Sequence, residues 1–108
     1  MTRGIYQNLA EGSGFIVKEI IVKAGGSISL QKHFNRSEHW VVISGEASVE
    51  CDGIKKTLLP NQSIFVPEGA LHRLSNNEKE DLRIIEVQSG EYLSENDIVR
   101  YEDIYGRV

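Results

Sequence analysis

Four side chains in the middle of the chain are of the types, and at the spacing, that hold a metal ion. Gln31 and His33 stand two apart, Glu38 follows, and His72 comes just after Pro67-Glu68-Gly69. On a strand, residues two apart project from one face, about 6–7 Å from each other. Glu38 lies beyond the turn Phe34-Asn35-Arg36-Ser37, on the next strand, where it can return to the same place. The Pro-Glu-Gly turn delivers His72 to the start of another strand. Two imidazoles, one carboxylate and one amide oxygen make a mixed N/O donor set. It suits one divalent cation, zinc first and manganese, iron, cobalt or nickel as alternatives, with positions left for water or substrate. A single histidine at a strand end is ordinarily just a satisfied polar residue. The set taken together is what points to a metal.

The elements that must position these residues are short strands. Gly and Pro punctuate segments rich in Val, Ile and Phe, the pattern of an all-β sandwich or barrel. Strands are predicted at about Gly14–Val22, Ser27–His33, His39–Ser44, Glu46–Cys51, Ile54–Leu59, Ser63–Val66, His72–Ser75 and Leu82–Gln88. Asp52-Gly53 is the clearest hairpin turn, because both residues tolerate the positive φ that tight β-turns need. Alternation, as in Ile28 and Leu30 against Ser27, Ser29 and Gln31, predicts one buried face and one face that is solvated or turned to a polar cavity. The tail differs. Ser94-Glu95-Asn96-Asp97 resembles a capping box and is followed by Ile98, Tyr101 and Tyr105 at helical spacing, which predicts a short helix or an ordered cover over one barrel end.

Composition narrows the function classes. The chain has 108 residues, 12 Lys+Arg against 16 Asp+Glu for a net charge of −4, with 40% hydrophobic and 26% charged residues. That is one domain spanning residues 1–108, with room for a real core. An acidic balance without a basic stripe argues against nucleic acid or an anionic membrane as partner. No apolar run approaches the ~20 residues of a membrane span, and no apolar segment follows the charged N-terminus as in a secretory signal. One cysteine, Cys51, makes no internal disulfide. A cytoplasmic address is the expectation.

The two polar segments, Gly25-x5-Gln31-x-His33-x4-Glu38-x6-Gly45 and Asn61-x5-Pro67-x-Gly69-x2-His72-x3-Asn76, resemble the two cupin motifs. The resemblance implies a small jelly-roll barrel, the cupin double-stranded β-helix, holding one metal through side chains of paired strands. Gln31 stands where most cupins have the first His of His-x-His, and Asn61 replaces the opening Gly of the second motif. A Gln-x-His pair with a Glu and a distant His resembles the metal set of phosphomannose isomerases. The segments Arg36-Ser37-Glu38-His39-Trp40-Val41-Val42, Gly69-Ala70-Leu71-His72-Arg73-Leu74, Ile85–Leu93 and Asp97–Arg107 are similar to the type II mannose-6-phosphate isomerase domain. In that family it is usually the C-terminal part of a bifunctional enzyme with an N-terminal mannose-1-phosphate guanylyltransferase. Departures are Thr2-Arg3-Gly4 for the usual Arg-Pro-Trp-Gly opening and Phe34-Asn35 for a His-rich run. The nucleotide-binding part is absent from the 108 residues, so no GTP chemistry is expected of them.

The resemblance implies interconversion of mannose 6-phosphate and fructose 6-phosphate through a cis-enediol(ate). That needs a base, a stabilised oxyanion and a phosphate anchor. Gln31, His33, Glu38 and His72 are expected to hold the metal, and Glu86 is the candidate base, with a metal-bound hydroxide as the competitor. Facing inward from its apolar strand Glu86 would have a raised pKa; facing outward it would be an ordinary surface residue. Lys18, the other catalytic candidate, stands among Ile16, Ile20 and Val22 and either snorkels outward or points into the cavity beside the metal. Arg36, Arg73 and Lys18 form the pool of phosphate ligands, although alternation turns Arg73 away from His72. Trp40 is expected in the core beside the metal, and His39 on the opposite face. A homodimer paired through sheet edges is expected. Two other readings stand: a non-catalytic cupin that binds a sugar phosphate or supports assembly, and, more weakly, an iron oxygenase. Turnover of mannose 6-phosphate separates the first from isomerisation, and oxygen uptake marks the second.

Overall fold

Short strands with one apolar face are stable only when two sheets cover each other's faces. The computed structural model describes residues 4–94 and 96–100. In chain order its strands are β1 (Gly4–Gly12), β2 (Phe15–Val22), β3 (Gln31–Lys32), β4 (Ser37–Ser44), β5 (Ala47–Cys51), β6 (Ile54–Leu58), β7 (Ser63–Val66), β8 (His72–Ser75), β9 (Leu82–Ser89) and β10 (Val99–Arg100). They form two five-stranded sheets, β1-β2-β9-β4-β7 and β10-β3-β8-β5-β6. Every strand pair is antiparallel. The hairpin at Asp52-Gly53 has φ of 50° and 82°, both positive as its sequence requires.

Register explains why the site lies at one end of the barrel. In the first sheet Val22 pairs with Leu82, Ile20 with Ile84, and Lys18 with Glu86, while Val42, Trp40 and Glu38 oppose Ile84, Glu86 and Gln88. The inward face therefore grades from aliphatic to polar along its length. At the aliphatic end Ile20, Val22, Val42, Leu82 and Ile84 close against Ala47, Val49, Leu58 and Leu74 of the other sheet. Full burial of each large aliphatic side chain stabilises the fold by about 1.5–3 kcal/mol. This dry end anchors the barrel so that the polar end can carry buried charge.

The expected strands form with bounds shifted by a few residues, with three corrections. A first strand, β1, lies before the predicted ones. Its residues are almost all exposed because it is an edge strand with one neighbour, so it carries no alternating signal. The segment predicted as Ser27–His33 is regular only at Gln31–Lys32; before that, a bridge from Ser27 to Ser75 and a bond from Ile28 N to Leu74 O tie it down. In the tail, Asn96 N donates to Ser94 Oγ (3.1 Å), Asp97 N donates to Ser94 O (3.1 Å), and the chain then enters β10 beside β3. Ser94, Asn96 and Asp97 are thus held together by turn hydrogen bonds, and Val99–Arg100 take the strand conformation where a helix was one expectation. Tyr101 and Tyr105 lie outside the described residues.

Candidate metal centre

The fold brings the predicted donors together. Ligand atoms of His33, Glu38 and His72 all lie within 4.8 Å of one another, and all three residues are buried. Glu38 comes from β4 in one sheet, and His72 from β8 in the other. His33 follows β3 directly, and Gln31 pairs with His72 across the β3–β8 ladder. Trp40 packs edge-on against His72 with ring centroids 5.4 Å apart, as expected of a core residue beside the site. His39 stacks on Phe65 at 4.7 Å on the outer face.

Hydrogen bonds orient both imidazoles. His33 Nδ1 meets Asp97 O at 2.7 Å, and His72 Nδ1 meets Ala70 O at 3.0 Å. A carbonyl oxygen only accepts, so each Nδ1 carries the proton and each Nε2 is the nitrogen that bears the lone pair. Burial holds both rings below the ordinary histidine range, in the neutral form that metals bind. Two neutral imidazoles and a carboxylate at these separations, with an amide in the same cavity, fit one divalent ion.

A second carboxyl group, Glu86, stands beside the donor Glu38. Trp40 Nε1 donates to Glu38 Oε1 (2.9 Å) and Glu86 Oε2 (3.1 Å), and Gln88 Nε2 donates to Glu86 Oε1 (2.8 Å). Burial pushes Glu86 up to about 8, aided by the Glu38 charge and by a hydrogen bond to Glu38. Burial also pushes Glu38 upward, but the Glu86 hydrogen bond, Arg36 and the two histidines hold it below the usual carboxylate range. Glu86 is the acid and Glu38 the anion of the pair. Of the two orientations open to Glu86 from its sequence, the fold selects the inward one.

These groups open into a cavity of about 250 Å³ lined by Tyr6, Lys18, Gln31, His33, Arg36, Glu38, Glu86, Gln88, Ile98 and Arg100, among others. Lys18 therefore points inward. Arg36 lines the cavity too, but its guanidinium rests on Glu38 and His33. Arg73 is the correction. It lines a separate groove with Glu50, Lys55 and Ser75, because its neighbour His72 takes the inward position and strands alternate. Asn76, from the second motif, is structural: its Nδ2 donates to Val22 O (2.9 Å) and Glu80 O (2.7 Å), pinning a loop.

Four residues at the site were not singled out in the sequence. Gln88 was findable, lying two residues from Glu86 on the same face. Tyr6 sits on the strand that carried no signal; burial, with Glu86 and Glu38 nearby, pushes its hydroxyl up to about 12, so it remains a donor. Arg100 and Asp97 belong to the tail. The Asp97 carboxylate accepts from Phe34 N (2.9 Å) and Asn35 N (2.8 Å), while its carbonyl holds His33. Burial pushes Asp97 up, yet those two N–H groups hold it below the usual range. One residue of the tail thus fixes the whole turn after His33. Asp97→Ala keeps the carbonyl that holds His33 and removes the carboxylate that holds the turn, so it is expected to lower the melting temperature of the metal-free chain and to weaken zinc affinity about 10-fold. Chelator competition and a thermal scan measure both; unchanged affinity would leave Asp97 with the turn alone.

Two facing antiparallel sheets with a mixed His/Glu donor set at one end define a cupin barrel. A protein of this fold from Klebsiella pneumoniae, described as a double-stranded β-helix domain, superposes with a TM-score of 0.80 at 22% identity, covering 93% of this chain and 80% of that one. The family model for the mannose-6-phosphate isomerase C-terminal domain matches residues 2–103, and the chain belongs to that family. It is 53% identical over 104 residues to the alginate biosynthesis protein AlgA of Pseudomonas putida, covering 96% of this chain and 21% of AlgA. It is 50% identical over 105 residues to the mannose-1-phosphate guanylyltransferase ManC of Salmonella typhimurium, covering 97% of this chain and 22% of ManC. The chain spans about a fifth of the length of the curated relatives it matches. Among the described residues no helix is long and apolar enough to cross a membrane.

Proposed function

We propose that this chain is a metal-dependent aldose–ketose isomerase acting as one domain on mannose 6-phosphate and fructose 6-phosphate. The observation that carries the reading is the convergence of His33, Glu38 and His72 beside a buried second carboxyl, Glu86, in a cavity that also holds cationic side chains. Family membership supports the choice of substrate.

Gln31, His33, Glu38 and His72 would hold the cation, zinc in the first instance. Bound there, it supplies a Lewis acid that polarises a substrate carbonyl or hydroxyl oxygen. Glu86 takes the proton from one carbon of the C1–C2 pair and returns it to the other. A base must be ionised, and any positive charge on Glu38 offsets the anion that keeps Glu86 protonated, drawing its pKa toward neutrality. Tyr6 offers a hydroxyl donor to a substrate oxygen. Lys18 and Arg100 enter the cavity from β2 and β10 and anchor the phosphate, Arg100 taking the place expected of Arg73. Ile98 and Trp40 limit water beside the reacting carbons.

Chelation tests this reading. The chain is incubated with a chelator, dialysed, and assayed for conversion of mannose 6-phosphate before and after zinc is restored. Turnover that vanishes and returns is expected; equal turnover without metal would remove the Lewis acid. Dimerisation belongs to the same proposal: Ile5, Ile43 and Phe65 are exposed large apolar side chains of the first sheet, and β1 is its edge. Light scattering at micromolar concentration is expected to give twice the chain mass.

A further inference from the structure

Imidazole Nε2 has one lone pair, and in His33 it is already engaged. Arg36 Nη2 lies 3.0 Å from His33 Nε2, while Arg36 Nε donates to Glu38 Oε2 at 2.8 Å. Guanidinium groups only donate, and His33 Nδ1 is committed to Asp97 O, so Arg36 necessarily uses the Nε2 lone pair. A cation held by His33 needs that same lone pair. Glu38 Oε2 has room for a second partner, but His33 Nε2 has none.

We propose that Arg36 is the metal's internal competitor: in the metal-free chain its guanidinium occupies His33 and Glu38, and a bound cation displaces it into the cavity. The proposal rests on the metal reading above. Arg36 has good reason to be there. Glu38 is 2% exposed beside a second carboxyl, and a buried carboxylate without a counter-charge is costly. The Arg36 side chain supplies that charge at 11% exposure, from the residue just before β4.

Two consequences follow. The apparent metal affinity equals the intrinsic one reduced by the fraction of chains with Arg36 already displaced. The displaced guanidinium, together with Lys18 and Arg100, then faces the space an anionic substrate would fill, so metal and anion favour each other's binding, by reciprocal coupling.

The test is zinc affinity of the 108-residue chain and of Arg36→Gln, by competition with a chromogenic chelator. Removing the competitor is expected to tighten zinc binding ~10-fold or more. Equal or weaker binding by the variant would overturn the proposal while leaving the metal site itself intact. Zinc binding by neither chain would overturn the metal reading as well. Because a substitution here can disturb the fold, the unaltered chain supplies a second measurement, the Nε–H of Arg36 followed by nitrogen NMR. It is expected to be protected from exchange without metal and to lose protection when one equivalent of zinc is added. Protection that persists in the zinc-loaded chain overturns the proposal whatever the variant does.

Discussion

Glu38→Gln is expected to lower zinc affinity by at least two orders of magnitude and isomerase turnover on the order of 10³-fold. The change keeps the shape of the side chain and removes its charge. Glu38 is the only anionic donor in the set, so its carboxylate supplies most of the attraction for a divalent ion at a buried site. The barrel itself should survive, since the amide oxygen can still accept from Trp40 Nε1 and the aliphatic end of the core is untouched. A second readout separates loss of the metal from general damage. Without the Glu38 charge, one cause of the raised Glu86 pKa disappears, and the Glu86 carboxyl is expected to titrate lower in a carbon-detected NMR experiment. Near-normal zinc affinity in Glu38→Gln would take Glu38 out of the ligand set and, with it, most of the reading.

Glu86→Gln should divide the two roles of the carboxyl pair. Zinc affinity is expected to stay within a few-fold of the unaltered chain, while turnover falls about 10²–10⁴-fold, the usual contribution of a general base. Stability responds in the opposite direction. Glu86 binds its proton up to about pH 8 in the folded chain, against 4.5 for an ordinary glutamate. Between those values the folded state holds a proton the unfolded state has released, so stability falls as pH rises through the window. Glu38 acts outside it: its pKa is lowered, so its contribution is present above 4.5 and is lost only as pH falls below. His33 and His72, held below the ordinary histidine range, add stability as pH rises toward 6.5, so the Glu86 loss is read above that value. The metal-free chain should lose stability from pH 7 to pH 8, on the order of 1 kcal/mol. In Glu86→Gln, which keeps an uncharged group of the same shape, that slope should flatten, and at pH 8 the variant should melt higher. Urea titrations at the two pH values measure it. A parallel pH slope in both chains would mean that Glu86 does not carry the proton.

Much of this site is written in local spacing. Gln31, His33, Glu38 and His72 stand out because donor types repeat at strand periodicity around turn sequences, and the fold brings all four to one end of the barrel. Period-two alternation likewise turned His39 outward and Arg73 away from His72, while it left Glu86 open between an inward and an outward position. The hairpin at Asp52-Gly53 needed no tertiary information, because positive φ is a property of the residues that adopt it. Edge strand β1 was illegible for the complementary reason: a strand that buries neither face has no pattern to show.

Other features depend on residues far apart in the chain. Asp97 reaches His33, Phe34 and Asn35 across more than sixty positions, and the direction in which Arg36 turns depends on a histidine and a carboxylate assembled from different elements. The protonation of Glu86 depends on its burial between the sheets and on Glu38 lying beside it, which the β4–β9 register provides. Residue type and two-residue periodicity therefore determined which side chains could bind a cation and which way each strand faced. The packing of two sheets and a returning tail decided which proton each donor keeps and which cation sits against it, because those are pairwise electrostatic matters that no single segment contains.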